Sequence, residues 1–111
     1  MNAVLCRIGA LDNQVAGASS GLGSLAGSIG NRVGRAQDDV QHSAELCGAG
    51  KLPRARASLR AARHQLVTTL AKMRSRTGRN QISPTVADEL TPPLQARIAD
   101  LQALRGVLTC P

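Results

Sequence analysis

The residues with the clearest potential for chemistry lie in a glycine-rich stretch at positions 17–23, which reads GASSGLG. A turn of this kind at the start of a helix can bring backbone N–H groups against a phosphate. Dinucleotide binding at such a turn also needs a buried β-strand immediately before it. The preceding residues, ALDNQVA, are polar and follow a helical pattern instead. The sequence therefore lacks the strand that would position this turn.

GASSGLG resembles the cofactor-binding turn of the short-chain dehydrogenase/reductase family, which reads GASSGIG at that place. The resemblance implies a dinucleotide cofactor and a downstream Tyr-x-x-x-Lys arrangement, but the chain contains no tyrosine. The residues after Gly23 show helical patterns rather than βαβ units, and they are too few for the rest of that fold. We therefore expect no cofactor, no small-molecule substrate and no dehydrogenase activity.

Metal-binding and catalytic residues are not evident elsewhere. His42 and Cys47 are five residues apart on one predicted helix, and His64 stands alone, whereas structural zinc takes four ligands in tetrahedral geometry. The acidic pairs Asp38-Asp39 and Asp88-Glu89 are typical of exposed positions near helix starts, where they favour the helix dipole. We expect solvated or partly buried histidines, no metal site and no enzyme.

The basic residues are concentrated in one segment, residues 51–80, which contains nine of the fourteen Lys and Arg residues and no acidic one. Residues 1–50 and 81–111 each have a net charge of −1, so this segment supplies the whole excess. Its apolar residues predict a long amphipathic helix with a heptad-like seam. The seam residues are Leu52, Leu59, Leu66 and Met73, with Ala55, Ala62 and Leu70 on the same face.

One flank of this seam holds Arg56, Arg60, Arg63 and Arg74, which we call the arginine flank. Two interpretations of it are open. In the first, these side chains form ion pairs with acidic residues of neighbouring helices, namely Asp38, Asp39, Glu45, Asp88, Glu89 and Asp100. In the second, they attract a polyanion such as nucleic acid, anionic glycan, lipid headgroups or an acidic protein surface. The absence of aromatic residues removes base stacking and argues against single-strand recognition.

The remaining apolar spacing also predicts helices. Val4, Ile8, Leu11 and Val15 mark a short first helix, and similar stripes cover residues 22–47 and 84–108. Ser83 and Pro84 read as a helix start, while Thr91 before Pro92 and Pro93 predicts a second start or a kink. With the basic helix at 51–77, the chain is expected to form one all-α domain over residues 1–111. The expected arrangement is an up-down-up bundle of three long helices, preceded by the short helix and Gly/Ser turn of residues 1–21.

Four glycines, Gly23, Gly27, Gly30 and Gly34, recur on one face of the second predicted helix. They either weaken the first half of that helix or allow a neighbouring backbone to approach closely, within the chain or between chains. A flexible loop is a third reading. The second reading makes self-association an expected property.

An up-down-up arrangement brings Cys47 and Cys110 to the same end of the bundle. A disulfide between them is expected, with two buried free thiols as the alternative. If the bond forms, the protein belongs in an oxidising, extracytoplasmic compartment, and otherwise in the cytoplasm. Cys6 is then either a small apolar side chain inside the first helix or a thiol for an intermolecular bond.

The stretch from CGAGKLPRARASLRAARHQL to LRGVLTC resembles the Cys-closed helical hairpin modules at the C-termini of secreted bacterial multidomain proteins. The matching residues are Cys47, Gly50, Lys51, Ala55, Leu59, Ala62, Leu66 and Cys110. The resemblance implies an accessory or interaction module without catalytic residues. We therefore expect a non-enzymatic structural or protein-interaction module with a protein partner or a second copy, and a basic polyanion-binding domain is the alternative.

Overall fold

The computed structural model describes all 111 residues and shows an all-α protein without β-strands. Helix α1 spans Asn2–Gly17 and leads into a 3₁₀ segment at Ser19–Leu25. The remaining helices are α2 (Ala26–Gly48), α3 (Leu52–Arg74), α4 (Arg76–Gln81) and α5 (Pro84–Val107). The molecule is elongated, with extents of 46 × 21 × 19 Å. No helix combines the length and the apolarity needed to cross a membrane.

The four longer helices share one aliphatic core. Helix α3 packs mainly against α2 and also against α5, while α1 packs against both α2 and α5. Twenty buried apolar residues form a single cluster. The spacing in the sequence identifies most of them. In α1, for example, the buried residues are the predicted Val4, Ile8, Leu11 and Val15. In α3, Leu59, Leu66 and Met73 of the heptad-like seam are buried.

Hydrogen bonds between α2 and α3 fix their register. The Ser43 hydroxyl donates to the carbonyl oxygen of Ala55 at 2.8 Å, and the Ser58 hydroxyl donates to that of Asp39 at 2.7 Å. Further along, Lys72 Nζ donates to the Ser28 hydroxyl at 2.8 Å. As the bonding residue on α3 moves from position 55 to 58 to 72, its partner on α2 moves back from position 43 to 39 to 28. These two helices therefore run in opposite directions.

The turn between α2 and α3 is a Schellman motif. The Gly50 N–H donates to the carbonyl oxygen of Cys47, and the Lys51 N–H donates to that of Leu46, each at 2.9 Å. Gly50 has a φ of +75°, which is the left-handed conformation that this motif needs and that glycine adopts without a Cβ clash. The motif ends α2 within three residues of the start of α3.

The glycine-rich GASSGLG stretch forms a structural joint. It follows helix α1 rather than a strand, and most of it is a 3₁₀ segment. The Ser83 N–H donates to the carbonyl oxygen of Gly21 at 2.8 Å, and a Cβ at Gly21 would overlap the Val86 side chain. Gly23 has a φ of +58°, and a Cβ there would overlap the carbonyl oxygen of Gln81. These glycines let the start of α5 approach the end of α1.

Both ends of α2, both ends of α3 and the end of α5 differ from the sequence expectation, and the end of α2 and the start of α3 differ by one residue each. Helix α2 begins at Ala26 instead of residue 22, because Gly23 interrupts the helical backbone. Helix α3 ends at Arg74 instead of residue 77, since Ser75 is extended and its hydroxyl accepts from the Gly78 N–H to cap α4. The C-terminal helix ends at Val107 instead of residue 108.

The prediction of a second helix start at Thr91 is wrong, because α5 continues through Pro92 and Pro93. The alternative, a kink at this point, stays a prediction. The Thr91 hydroxyl donates to the carbonyl oxygen of Ala87 at 2.7 Å, one turn earlier. The carbonyl groups that lose their usual donors to the prolines belong to Asp88 and Glu89, both exposed residues that water can reach.

Candidate anion-binding surface

The arginine flank lies along one side of α3, which has six basic side chains and no acidic one. Arg56, Arg60 and Arg74 are exposed, and Arg63 is half-buried. From Arg56 the other three lie four, seven and eighteen residues further on, which are positions on the same side of an α-helix. At 1.5 Å per residue, the flank is about 27 Å long.

This flank borders α5. Arg56 Nη2 donates to the carbonyl oxygen of Leu108, just beyond the end of α5, at 3.5 Å. The opposite side of α3 faces α2 through Ser58 and Lys72, as the hydrogen bonds above show. On α5, Ala87 lies close to α3, since it lines a pocket together with Met73 of α3. Arg105, on the last turn of α5, is half-buried and lies five full turns after Ala87, so it is on the same side of α5. Arginines therefore border the contact between α3 and α5 on both helices.

No ion pair within the chain involves α3. The three ion pairs are Arg7–Asp100 at 3.4 Å, Arg97–Asp100 at 2.8 Å and His42–Glu45 at 3.8 Å. The expectation that the flank pairs with the acidic residues of neighbouring helices is therefore wrong. Asp100 is turned towards α1, where Arg7 binds it, and Glu45 pairs within α2. The flank arginines therefore have no carboxylate partner within the chain.

Arg63 is the most enclosed member of the flank. Its Nε is buried and has no hydrogen-bond partner. A buried guanidinium nitrogen without a partner costs free energy, because it loses water without gaining an acceptor. Arg32 on α2 has a buried, unpartnered Nε as well, so this feature is not specific to the flank.

The flank also contains an apolar side chain that the sequence prediction missed. Val67 is 37% exposed, and it and Val107 are the two exposed large apolar residues of the chain. Val67 lies four residues after Arg63 and seven before Arg74, on the same side of α3. The spacing in the sequence already places Val67 beside these arginines and outside the buried heptad-like seam.

A pocket of about 350 Å³ opens near the end of α3, which breaks at Ser75. It is lined by Met73, Gly78, Arg79, Ile82, Pro84, Ala87 and Asp88. Its two charged residues have opposite signs, and both are exposed. None of the flank arginines lines this pocket.

The glycine face of α2 is open within the chain. A Cβ at Gly27, Gly30 or Gly34 would meet nothing within 4 Å, and Gly23 lies outside the helix. No helix of the same chain therefore uses these glycines for a close approach. Packing of this face between chains stays a prediction.

The cysteines meet as the sequence predicts. The sulfur atoms of Cys47 and Cys110 lie at disulfide-bonding distance, with their Cα atoms 4.9 Å apart, and they join the end of α2 to the C-terminal tail. Cys6 is a free thiol on the exposed face of α1, so its interpretation as an apolar side chain inside the helix is wrong. His42 and His64 are exposed, and no group of His, Cys, Asp or Glu residues could hold a metal ion.

Asp39 gives the fold a pH dependence. Its carboxyl is half-buried near α3, and desolvation by burial, with the neighbouring Asp38 charge, raises its pKa above the ordinary 3.8, although His42 opposes the shift. Because the folded state holds this proton more tightly than the unfolded state, stability falls as pH rises through the raised pKa. Asp39→Asn is therefore expected to raise the melting temperature at pH 7.

The check is thermal unfolding of both proteins at pH 7 and at pH 3. At pH 3 the wild-type carboxyl is protonated in both states, so the difference between the two proteins should shrink. An equal difference at both pH values would contradict a role for the Asp39 charge. Asp38→Asn removes only the neighbouring charge, which is the smaller of the two causes that raise the pKa of Asp39, and should therefore have a smaller effect in the same direction.

A scan against protein-family models gives no match for this chain, and searches of the curated proteins and of the solved structures give none either.

Proposed function

We propose that the protein is a non-enzymatic interaction module that binds an acidic protein surface with the arginine flank of α3. The observation behind this is that no cation of α3 has an ion-pair partner in the chain, whereas all three ion pairs lie elsewhere. Interfaces between proteins are enriched in arginine and have an apolar centre, and Val67 supplies an apolar group within the flank.

The scaffold that we propose is an up-down-up arrangement of α2, α3 and α5, with α1 completing a fourth side. It is supported by the opposed hydrogen-bonding partners of α2 and α3 and by the packing of α5 on α3. The Cys47–Cys110 pair would hold the ends of α2 and α5 together. We place the module in an oxidising, extracytoplasmic compartment, where such a bond persists. Its resemblance to Cys-closed hairpin modules of secreted proteins agrees with an accessory role.

Sequence-independent binding of a polyanion is the second candidate. It is favoured by the nine basic residues of segment 51–80, several of which lie outside the flank. A nucleic acid or an anionic glycan would use this total charge, and its affinity would fall steeply with salt. The affinity for a protein partner would instead depend mainly on the positions of the arginines and less on their number.

The test compares two triple variants of equal charge. Arg56→Gln/Arg60→Gln/Arg74→Gln removes the exposed flank arginines, while Arg35→Gln/Arg54→Gln/Arg76→Gln removes three exposed arginines elsewhere. Binding to fluorescent poly-L-glutamate, heparin and duplex DNA is measured by anisotropy across a salt series. At about 0.2–1 kcal/mol per exposed charge pair, the flank variant should lose about tenfold in affinity for polyglutamate. The control variant should lose much less.

Equal losses in the two variants, with a steep salt dependence for DNA and heparin, would replace the first proposal with the second. No binding of any anion by the wild-type protein at low salt would remove both. All six substitutions are at exposed positions, so we expect the helices to stay intact. Circular dichroism of each variant checks this.

A further inference from the structure

The last four residues of the chain, 108–111, form a non-helical tail that crosses one end of the bundle. The tail leaves the end of α5 and reaches the turn between α2 and α3. There Cys110 meets Cys47, and the carbonyl oxygen of Pro111 lies 3.0 Å from the position that a Cβ would take at Gly50. The tail therefore joins the end of α5 to the α2–α3 turn, and we call it the strap.

Few contacts hold the strap apart from the disulfide. None of the backbone N–H groups of Leu108, Thr109 and Cys110 donates to a backbone carbonyl group. The guanidinium of Arg56 donates to the Leu108 carbonyl oxygen at 3.5 Å, which is long for a hydrogen bond. The Cys47 sulfur lies 3.4 Å from the Thr109 carbonyl oxygen, but a disulfide sulfur has no proton to donate. Leu108 is the only strap residue in the buried core cluster.

The Cys47–Cys110 bond is within reach of a reductant. Both cysteines are half-buried, and Thr109 and Pro111 beside them are exposed. Thiol–disulfide exchange needs such access, because a thiolate must reach one of the two sulfur atoms. A disulfide enclosed by the core would react only after unfolding, whereas this one lies at the surface of the folded protein.

Apolar side chains neighbour the points where the strap is attached. Leu46 precedes Cys47 at the end of α2, and Leu52 begins α3. Leu104 lies one turn before Leu108 on α5. Leu46, Leu52 and Leu104 are half-buried and pack against the core cluster. Once the strap leaves, the site of Leu108 opens to solvent at this apolar end of the bundle.

We propose that residues 108–111 are a redox-released strap. One thiolate of a dithiol reductant attacks the Cys47–Cys110 bond and forms a mixed disulfide, which the second thiol of the reductant resolves. The bond gains two electrons and two protons and becomes two thiols, and the dithiol becomes a disulfide. The strap then leaves the end of the bundle and uncovers an apolar surface. The helices stay in place, because Leu108 is the only member of the core cluster that they lose.

The strap goes beyond the binding function proposed above and does not depend on the arginine flank. The bond persists in the oxidising compartment proposed for the module, and it opens where the protein meets a dithiol. The one link to the flank is Arg56, whose hydrogen bond to Leu108 is lost on release.

The test is ¹⁵N relaxation of the Cys6→Ser protein with and without dithiothreitol. This background removes the one free thiol, which would otherwise exchange with the bond. On reduction, the order parameter S² of the strap amides should fall from about 0.85 to below about 0.6. Amide shift changes should be confined to residues 46–56 and 104–110. Fluorescence of Nile red, an uncharged apolar dye, should rise, and oxidised glutathione, which takes back the two electrons, should restore the first state.

Two variants show which contact holds the strap. Cys47→Ser/Cys110→Ser should have the mobile strap without any reductant, and dithiothreitol should then change nothing further. Arg56→Gln removes the other polar contact and is the matched control, so its strap should stay ordered as long as the bond is intact.

An ordered strap in the reduced protein would overturn the inference, because Leu108 would then hold it without the bond. Loss of helical circular dichroism on reduction would also overturn it, since the bond would then control the whole fold. A mobile strap without brighter Nile red would remove the uncovered apolar surface. Polyglutamate binding by the oxidised protein tests the arginine flank separately, so failure of this inference is distinct from failure of the proposed function.

Discussion

Replacing both Cys47 and Cys110 with serine is expected to lower the free energy of unfolding by about 4 kcal/mol. The two cysteines are 63 residues apart in sequence, so the bond closes a long loop in the unfolded chain. Closing this loop restricts the unfolded ensemble, and longer loops give the larger effect. Urea unfolding followed by circular dichroism would measure the change, and the melting temperature should fall by more than about 10 °C.

Cys6→Ser is the matched control for this prediction. Cys6 is exposed and free, so the variant should unfold within about 0.5 kcal/mol of the wild-type protein. Adding a reductant to the wild-type protein should reproduce the effect of the double substitution. A double variant with wild-type stability in urea would show that the bond contributes little, and the proposed oxidising compartment would lose its support.

Leu66→Ala is expected to destabilise the protein by about 2–5 kcal/mol, because it removes buried methyl groups and leaves a cavity. Leu66 is fully buried in the middle of α3, where that helix meets both α2 and α5. Chemical denaturation gives the measurement.

Val67→Ala, one residue further along α3, is the control for the core substitution. Its side chain is 37% exposed, so truncation should cost less than about 1 kcal/mol. Similar losses in the two variants would mean that α3 does not present its buried and exposed sides as described. That result would also remove the basis for the arginine flank, since the flank is defined by its position beside the buried seam of α3.

The helices and their buried faces could be predicted from the sequence because aliphatic residues recur there at helical intervals. The same reasoning paired Cys47 with Cys110, since consecutive long helices of similar length bring their ends together. Helix ends were harder to predict. The break at Ser75 depends on its hydroxyl capping a new helix, and Gly78 packs against the carbonyl groups at the end of α3.

Other features depend on contacts between residues that are distant in sequence. The glycines of GASSGLG allow contacts with Gln81 and Val86, which lie about sixty residues later, so their local pattern could not reveal this role. The spacing of charges indicated the arginine flank, but it could not show that the acidic residues lie on other sides of the bundle. The exposure of Val67 could have been predicted, because its spacing places it on the arginine flank and outside the buried seam.

The central claim is that anions bind along the arginine flank, and the most direct measurement is an NMR titration of the ¹⁵N-labelled protein with poly-L-glutamate. We predict amide shift changes concentrated at residues 56–74 of α3 and around Arg105 of α5, with little change on α1 and on the glycine face of α2. Shift changes spread evenly over the basic residues, including Arg35 and Arg54, or centred on α1 and α2, would contradict the claim.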